Sequence, residues 1–358
     1  MKRLPVAILG ATGLVGQRLV QMLENHPWFE VRALAASDNS AGKKYAEAVK
    51  WHLSGEIPAA VRDLPVEPCE PKFDTPLVFS ALPSDVAGDV ETAFVQAGYL
   101  VSSNASNHRM DPQVPLVIPE VNPDHLELVN VQKGKRQGGA LVCNPNCSTI
   151  HLALALKPLA DQFGLRRIIV TTMQALSGAG YPGVASLDAV DNVIPFIGGE
   201  ETKLEQEPLK ILGRLEGEHV APADFRISAA CNRVATRDGH LETLSFELIR
   251  KGPIEQVRRA LADFDAEPQR LKLPSAPAHP ILVRDEADRP QPVLDRDAEG
   301  GMATVVGRLR PCGVLDYKLV LLGHNTIRGA AGGTLLNAEL LAAKGYLRGS
   351  GFDDTLSG

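Results

Sequence analysis

Apolar and polar positions follow one grammar in the first part of the chain and another in the second. Val6 to Leu9 form a short apolar run, and Leu14, Leu19, Val20 and Leu23 then mark a helical pattern. Val31 to Ala36 and Leu77 to Leu82 read as buried strands, Asp85 to Gln96 as a helix, and Leu100 with Val101 as a further short strand. Strands alternating with helices predict a parallel sheet whose ligands bind beyond the carboxyl ends of its strands. Ala140, Leu141 and Val142 then lead into the turn Asn144-Pro145-Asn146 and the apolar run Ile150 to Leu156. That run predicts a helix, with Ser148 or Thr149 near its N-cap.

After this helix, strands dominate. Arg167 to Gln174 is rich in β-branched residues and ends in the glycine-rich stretch Ala175 to Gly183. Further strands are expected at Phe225 to Val234, Leu241 to Leu248, Met302 to Leu309 and Tyr317 to Leu322, with a helix at Ile254 to Phe264. The pattern predicts an α+β unit built on a mostly antiparallel sheet. Gly329 to Tyr346 is helical and rich in Ala and Leu, and Arg348 to Gly358 reads as a loose tail.

The 358 residues leave room for two domains, and 44% hydrophobic with 22% charged residues argues against disorder. A net charge of -6, spread without long blocks, gives no footprint for nucleic acid or an anionic membrane. An acidic substrate must therefore be met by a local cluster of Arg and Lys. The most apolar stretch, Ile150 to Leu159, is interrupted by His151, Lys157 and Pro158, so no membrane span is expected. Five cysteines and a start that runs from Met-Lys-Arg directly into a strand point to the cytoplasm and reduced thiols. No second Cys/His pair at zinc spacing accompanies Cys143 and Cys147, which argues against a metal site.

Cys147 falls at the mouth of the predicted helix, where free N–H groups and the helix dipole lower a thiol's pKa and can hold an oxyanion. The alternative is a small buried residue. The strand, glycine turn and helix around Gly10, Thr12, Gly13, Leu14, Val15 and Gly16 open a dinucleotide-binding unit. Where a carboxylate would select NAD, the next strand ends in Ser37, followed by Ser40, Lys43 and Lys44, which favours NADP; Asp38 leaves NAD open. Ser84, Ser103, Asn104 and Arg109 fall on other strand ends. In the second half Gln174, Glu200, Lys203, Arg233, His240 and Asn325 are polar residues that packing does not readily explain.

In combination these segments resemble the aspartate-semialdehyde dehydrogenases, in particular the branch typical of archaea and fungi. The resemblance rests on Gly-Ala-Thr-Gly-Leu-Val-Gly at 10–16, Ala-Ser-Asn-His-Arg-Met at 105–110, Asn-Pro-Asn-Cys-Ser-Thr at 144–149 and Gln-Ala-Leu-Ser-Gly-Ala-Gly-Tyr-Pro-Gly at 174–183. It extends through Gly-Glu-Glu-Thr-Lys at 199–203, Arg233 with His240, and Asn-Thr-Ile-Arg-Gly-Ala-Ala-Gly at 325–332. It implies an α/β chain: a Rossmann-type NADP-binding domain over 1–146, completed by a C-terminal helix over 326–358, and a catalytic and dimerisation domain over 147–325.

The implied reaction is NADPH-dependent reduction of L-aspartyl 4-phosphate to L-aspartate 4-semialdehyde, on the route to lysine, threonine and methionine. By similarity Cys147 is the nucleophile that forms a thioester, His240 the acid/base and Gln174 the residue that orients the acyl group. Arg233 meets the substrate α-carboxylate, Glu200 its ammonium group, and Arg109, Lys203 and Asn146 the phosphate. Ser177, Gly178 and Asn325 join the glycine turn as cofactor contacts, and a homodimer or homotetramer is implied. A malonyl-CoA reductase and an N-acetyl-glutamyl-phosphate reductase are neighbouring alternatives, although the latter usually carries its cysteine in a different turn. A nucleotide-binding relative without catalysis, or a cysteine hydrolase, are lesser ones.

Overall fold

The computed structural model describes residues 3–135 and 138–347. The tail Arg348 to Gly358 lies outside the described residues, as do Met1 and Lys2. Six strands, β1 Leu4–Leu9, β2 Phe29–Ala36, β3 Val66–Pro68, β4 Leu77–Ser80, β5 Leu100–Ser103 and β6 Ala140–Cys143, form one sheet. Its order is β3-β2-β1-β4-β5-β6 and every pairing is parallel, as the alternating pattern predicts. The order reverses between β1 and β4, so the loops that follow them part and open a crevice.

Two glycines make the first turn into that crevice. Gly10 leaves β1 at φ +73°, and a Cβ there would lie 2.5 Å from the Ala81 carbonyl oxygen after β4. A Cβ on Gly16 would lie 2.2 Å from the Gly10 oxygen, so the helix Leu14–Met22 could not pack this close to its own strand. Gly13, between them, is exposed at the crevice.

The second sheet contains β7 Leu165–Gln174, β8 Val193–Ile194, β11 Arg226–Val234, β12 His240–Leu248, β13 Ile281–Val283, β14 Thr304–Pro311 and β15 Tyr317–Gly323; β9 Arg214–Glu216 and β10 His219–Ala221 form a separate ribbon. The order is β13-β14-β15-β12-β7-β11-β8. Four of its pairings are antiparallel and two are parallel, β7 with β11 and β13 with β14. The sheet is thus mixed, with its antiparallel character in the majority.

The helix Cys147–Phe163 lies between the cores of the two sheets. Ile150, Ala153 and Leu154 pack with the first sheet, while Leu152, Leu156, Leu159 and Phe163 pack with the second. This two-sided burial explains an apolar run with no polar face. The chain then returns to its start. A π-helical turn, Ile327–Ala331, runs into the helix Gly332–Ala343, whose Leu335, Leu336, Leu340 and Leu341 pack with Val6, Ile8 and Phe79 of the first sheet. The single helix expected from Gly329 is therefore two pieces. Arg328 is held in the interior by its ion pair with Glu120.

Leu336 is fully buried in this returning helix. Leu336→Ala is expected to lower stability by about 2–5 kcal/mol, read as an earlier urea midpoint at unchanged slope.

Candidate active site

The site starts with the way the Cys147–Phe163 helix is capped. Its cap is Asn146, two or three residues before the expected Ser148 or Thr149: Asn146 Oδ1 accepts from the backbone N–H of Ser148 at 2.9 Å and of Thr149 at 3.3 Å. Cys147 is consequently the first helical residue. Its Sγ lies 3.1 Å from His240 Nε2, which arrives at the start of β12. A Cβ on Gly329 would come within 2.8 Å of Cys147 Cβ, so the π-helical turn presses against the other side of the cysteine.

The hydrogen on His240 is placed by a backbone group. Nδ1 accepts the Ala175 N–H at 3.0 Å, so in the neutral ring the proton sits on Nε2 and faces the sulfur. Full burial pushes the ring pKa down to about 3, and Arg233 and His324 add to the shift. Ala175 also organises Arg233, whose Nη1 donates to the Ala175 carbonyl at 2.7 Å. Gly178 completes this corner, since a Cβ there would lie 2.9 Å from Arg233 Nη1 and 3.0 Å from His240 Cε1.

Glu200 gathers the next three groups. It accepts from Asn146 Nδ2 at 2.8 and 3.0 Å, from Lys203 Nζ at 2.8 Å and from Gln174 Nε2 at 3.2 Å. Burial on its own would raise this carboxyl, but Lys203 and the donated hydrogen bonds hold it below the usual carboxylate range. The Asn146 amide is thereby committed to Glu200 and its oxygen to the helix, so Asn146 acts as a cap rather than as a free phosphate donor. Arg109 donates from Nη2 to the Asn104 carbonyl at 2.7 Å and from Nη1 to Glu207 at 2.9 Å, while its Nε is buried without a partner.

These groups surround one cavity of about 970 Å³. Its nucleotide side is formed by Thr12, Gly13, Leu14 and Val15 of the glycine turn together with Ser84 and Asn104. The opposite side carries Arg109, Asn146, Cys147, Gln174, Glu200, Lys203 and Arg233. Ser177, Gly178 and Asn325 lie where the two meet, and Asn325 Nδ2 donates to Ser177 Oγ at 2.8 Å. His240 stands directly behind this wall. Gly10 and Gly16 shape the turn from beneath.

Other predicted residues lie elsewhere. Ser103 faces inward, donating to Glu91 at 2.5 Å, and does not line the cavity. Ser37, Ser40 and Lys43 lie in the turn beyond β2, outside the lining, with Lys43 Nζ on the Asn39 carbonyl at 2.8 Å.

The cysteine departs from the expectation of a lowered pKa. It keeps partial exposure to the cavity, but the protein packed around it pushes the thiol up to about 12, with Glu200 adding to the rise and Arg109, Arg233 and Lys203 opposing it. Desolvation outweighs the helix mouth in the ligand-free chain. Sequence reasoning also missed Glu207 and Lys210. Their spacing from Glu200 and Lys203, at 200, 203, 207 and 210, places all four on one face of the helix Glu200–Ile211. Among the described residues no cluster of His, Cys, Asp or Glu could hold a metal ion, and no helix is long and apolar enough to cross a membrane.

Two family profiles match the chain: the semialdehyde dehydrogenase NAD binding domain over residues 5–129 and the semialdehyde dehydrogenase dimerisation domain over 156–328. The chain is 53% identical to an aspartate-semialdehyde dehydrogenase of Archaeoglobus fulgidus, covering 95% of this chain and 98% of the relative. Against the Candida albicans enzyme it is 46% identical, with 95% and 98% covered. The crystal structure of the Candida albicans enzyme with NADP superposes at a TM-score of 0.90 and 43% identity, over 96% of this chain and 100% of that one. The aspartate semialdehyde dehydrogenase II of Vibrio cholerae complexed with ASA gives 0.74 at 28% identity, with 95% and 98% covered.

The raised thiol predicts an alkaline alkylation profile. In ligand-free protein, carboxamidomethylation of Cys147, followed by peptide mass spectrometry, should accelerate with pH well beyond neutrality as the thiolate fraction grows. Glu200→Gln removes a negative charge that disfavours the thiolate and should move this profile to lower pH. A wild-type plateau near neutral pH would contradict the electrostatic account.

Proposed function

The chain belongs to the aspartate-semialdehyde dehydrogenase family, and we propose that it reduces L-aspartyl 4-phosphate to L-aspartate 4-semialdehyde with NADPH, releasing phosphate. The observation that carries this reading is the 3.1 Å contact between Cys147 Sγ and His240 Nε2 at a capped helix start, inside a cavity that also gathers Arg109, Lys203, Arg233 and Glu200. A substrate with a phosphate, an α-carboxylate and an ammonium group needs cations at two ends and a carboxylate for the third.

The sulfur of Cys147 attacks the acyl carbon, the bond from that carbon to the phosphate oxygen breaks, and a thioester remains on the enzyme. Arg109 and Lys203 bind the phosphate, which leaves with the bonding electron pair and takes up the proton given up by the thiol; the thiolate expelled after hydride transfer regains one from solvent, the one proton that the overall reaction consumes. Arg233 holds the α-carboxylate and Glu200 the ammonium group. Gln174, directly before Ala175 on β7, orients the acyl oxygen.

His240 presents Nε2–H to the sulfur, stabilising the thiolate both before attack and when it is expelled again. The acid/base role expected of this ring is therefore exercised as a fixed donor in the neutral state. The dinucleotide supplies the hydride when bound. The residues available to hold it fit that group: the open backbone at Gly13 beside a helix N-terminus suits a pyrophosphate, and Asn104 Nδ2 is buried without a partner. Thr12, Leu14, Val15, Ser84, Ser177, Gly178 and Asn325 complete its contacts, and Ser37, Ser40 and Lys43 are assigned to the 2′-phosphate.

The nucleotide domain of this reading spans 1–146 with 326–358, and the catalytic and dimerisation domain spans 147–325. The second sheet keeps one face uncovered, with Ile169 50% exposed, and nearby Leu187 and Phe196 are 92% and 69% exposed. Such a surface suits a second copy of the chain, so we assign a homodimer, or a homotetramer built from it. All five cysteines are free, in keeping with a cytoplasmic setting.

With L-aspartate semialdehyde, inorganic phosphate and NADP, the wild type should form NADPH only when phosphate is present, and more slowly with NAD. Cys147→Ser should lose at least about 10³-fold in rate. Folded wild type that binds NADP without oxidising the aldehyde would overturn the substrate assignment, and malonyl-CoA and N-acetylglutamate semialdehyde would be tested next.

A further inference from the structure

The second half of the Glu200–Ile211 helix carries two buried charges that the reaction itself does not use. Glu207 is 2% exposed and Lys210 is 6% exposed, an arrangement that charged side chains adopt only when paired or hydrogen-bonded. The two oxygens of Glu207 serve different masters. Oε1 accepts from Arg109 Nη1 at 2.9 Å, and Oε2 accepts from the backbone N–H of Asn146 at 2.7 Å.

Lys210 holds the same arginine by its main chain. Its ammonium has three hydrogens, and Nζ meets three carbonyls, those of Arg109 at 2.7 Å, Asp111 at 2.8 Å and Val114 at 2.8 Å. The segment from Arg109 to Val114 has no helix or strand of its own to fix it. The ammonium takes the place of a ladder of backbone hydrogen bonds.

We propose that Glu207 and Lys210 are positioning residues for the phosphate site, Glu207 by joining the Arg109 guanidinium to the residue that caps the nucleophile helix, and Lys210 by clamping the backbone that carries Arg109. This inference rests on the reading of Arg109 as a phosphate ligand. Arginine is long and flexible, and a two-pronged contact to an anion requires its plane to be set beforehand. Glu207 and the Asn104 carbonyl each take one hydrogen of a terminal nitrogen, which fixes the guanidinium plane and leaves three of its five hydrogens unused, the buried Nε–H among them. Because the other Glu207 oxygen holds Asn146, the spacing between the phosphate cation and Cys147 is set through one carboxylate.

Glu207→Gln tests this directly. The amide has no charge and a single acceptor oxygen, so it can keep the Asn146 N–H only by turning its NH2 toward the Arg109 guanidinium, and the ion pair is lost. In the oxidative direction, with inorganic phosphate varied, KM for phosphate should rise about 10-fold while KM for the aldehyde and for NADP stays within about 2-fold. In an Arg109→Leu background the same substitution should add no further rise in phosphate KM, since the effect passes through Arg109. Glu207→Asp, which keeps the charge and shortens the reach, should raise phosphate KM to a smaller extent, and it carries the test if the glutamine variant does not fold. Unchanged phosphate KM in these variants, or equal rises for phosphate, aldehyde and NADP, would overturn the inference. Wild type without phosphate-dependent turnover would instead overturn the proposed function.

Discussion

The cap on the Cys147–Phe163 helix is the constraint on which the site depends. Asn146 uses every polar group it has: Oδ1 binds the first helical amides, Nδ2 binds Glu200, and the backbone N–H binds Glu207. An ordinary N-cap contributes about 1 kcal/mol to a helix. Here the same residue also ties the helix to a second helix through two carboxylates, Glu200 by its side chain and Glu207 by its backbone N–H, and so fixes the direction in which Cys147 leaves the turn. His240 is set just as firmly by the Ala175 amide, and its Nε2 lies 3.1 Å from the Cys147 sulfur.

Such preorganisation has an electrostatic consequence. A helix mouth favours a thiolate, yet the packing that aims Cys147 also desolvates it and brings Glu200 near, and the thiol rises. Arg109, Arg233 and Lys203 work in the other direction. On the proposed reading the same three cations meet the phosphate and the carboxylate of the substrate, so a net-acidic chain concentrates positive charge at this cavity. Neutral His240 contributes a hydrogen rather than a charge, because Ala175 occupies the nitrogen that an imidazolium would have to protonate.

Much of the fold was legible in the chain because its central strands are short apolar runs bounded by glycine and proline, and burial on both faces leaves that mark. The small edge strands β3, β8 and β13 were not legible, since two or three residues carry no period. The cap was placed too late because Ser148 and Thr149 are as good capping residues as Asn146, and only geometry decides which amide is reached. Ser103 sits on a strand end, as expected, but the strand's alternation turns it toward Glu91 and away from the cavity. Glu207 and Lys210 were not singled out, because charges on a polar segment that contains Pro208 ordinarily face solvent. What identifies them is the segment 109–114 that folds against them, a contact across about a hundred residues of sequence that no local pattern encodes.

If Cys147 carries the acyl group, the thioester is visible by mass spectrometry of the intact protein and of its peptides. The wild type is mixed with L-aspartate semialdehyde and NADP in the absence of phosphate, so that the reaction can reach the thioester but phosphate cannot release it. A single aspartyl adduct on the Cys147 peptide, discharged on adding phosphate and missing from Cys147→Ser, is the predicted result. An adduct on another residue, or turnover without any covalent intermediate, would contradict the account.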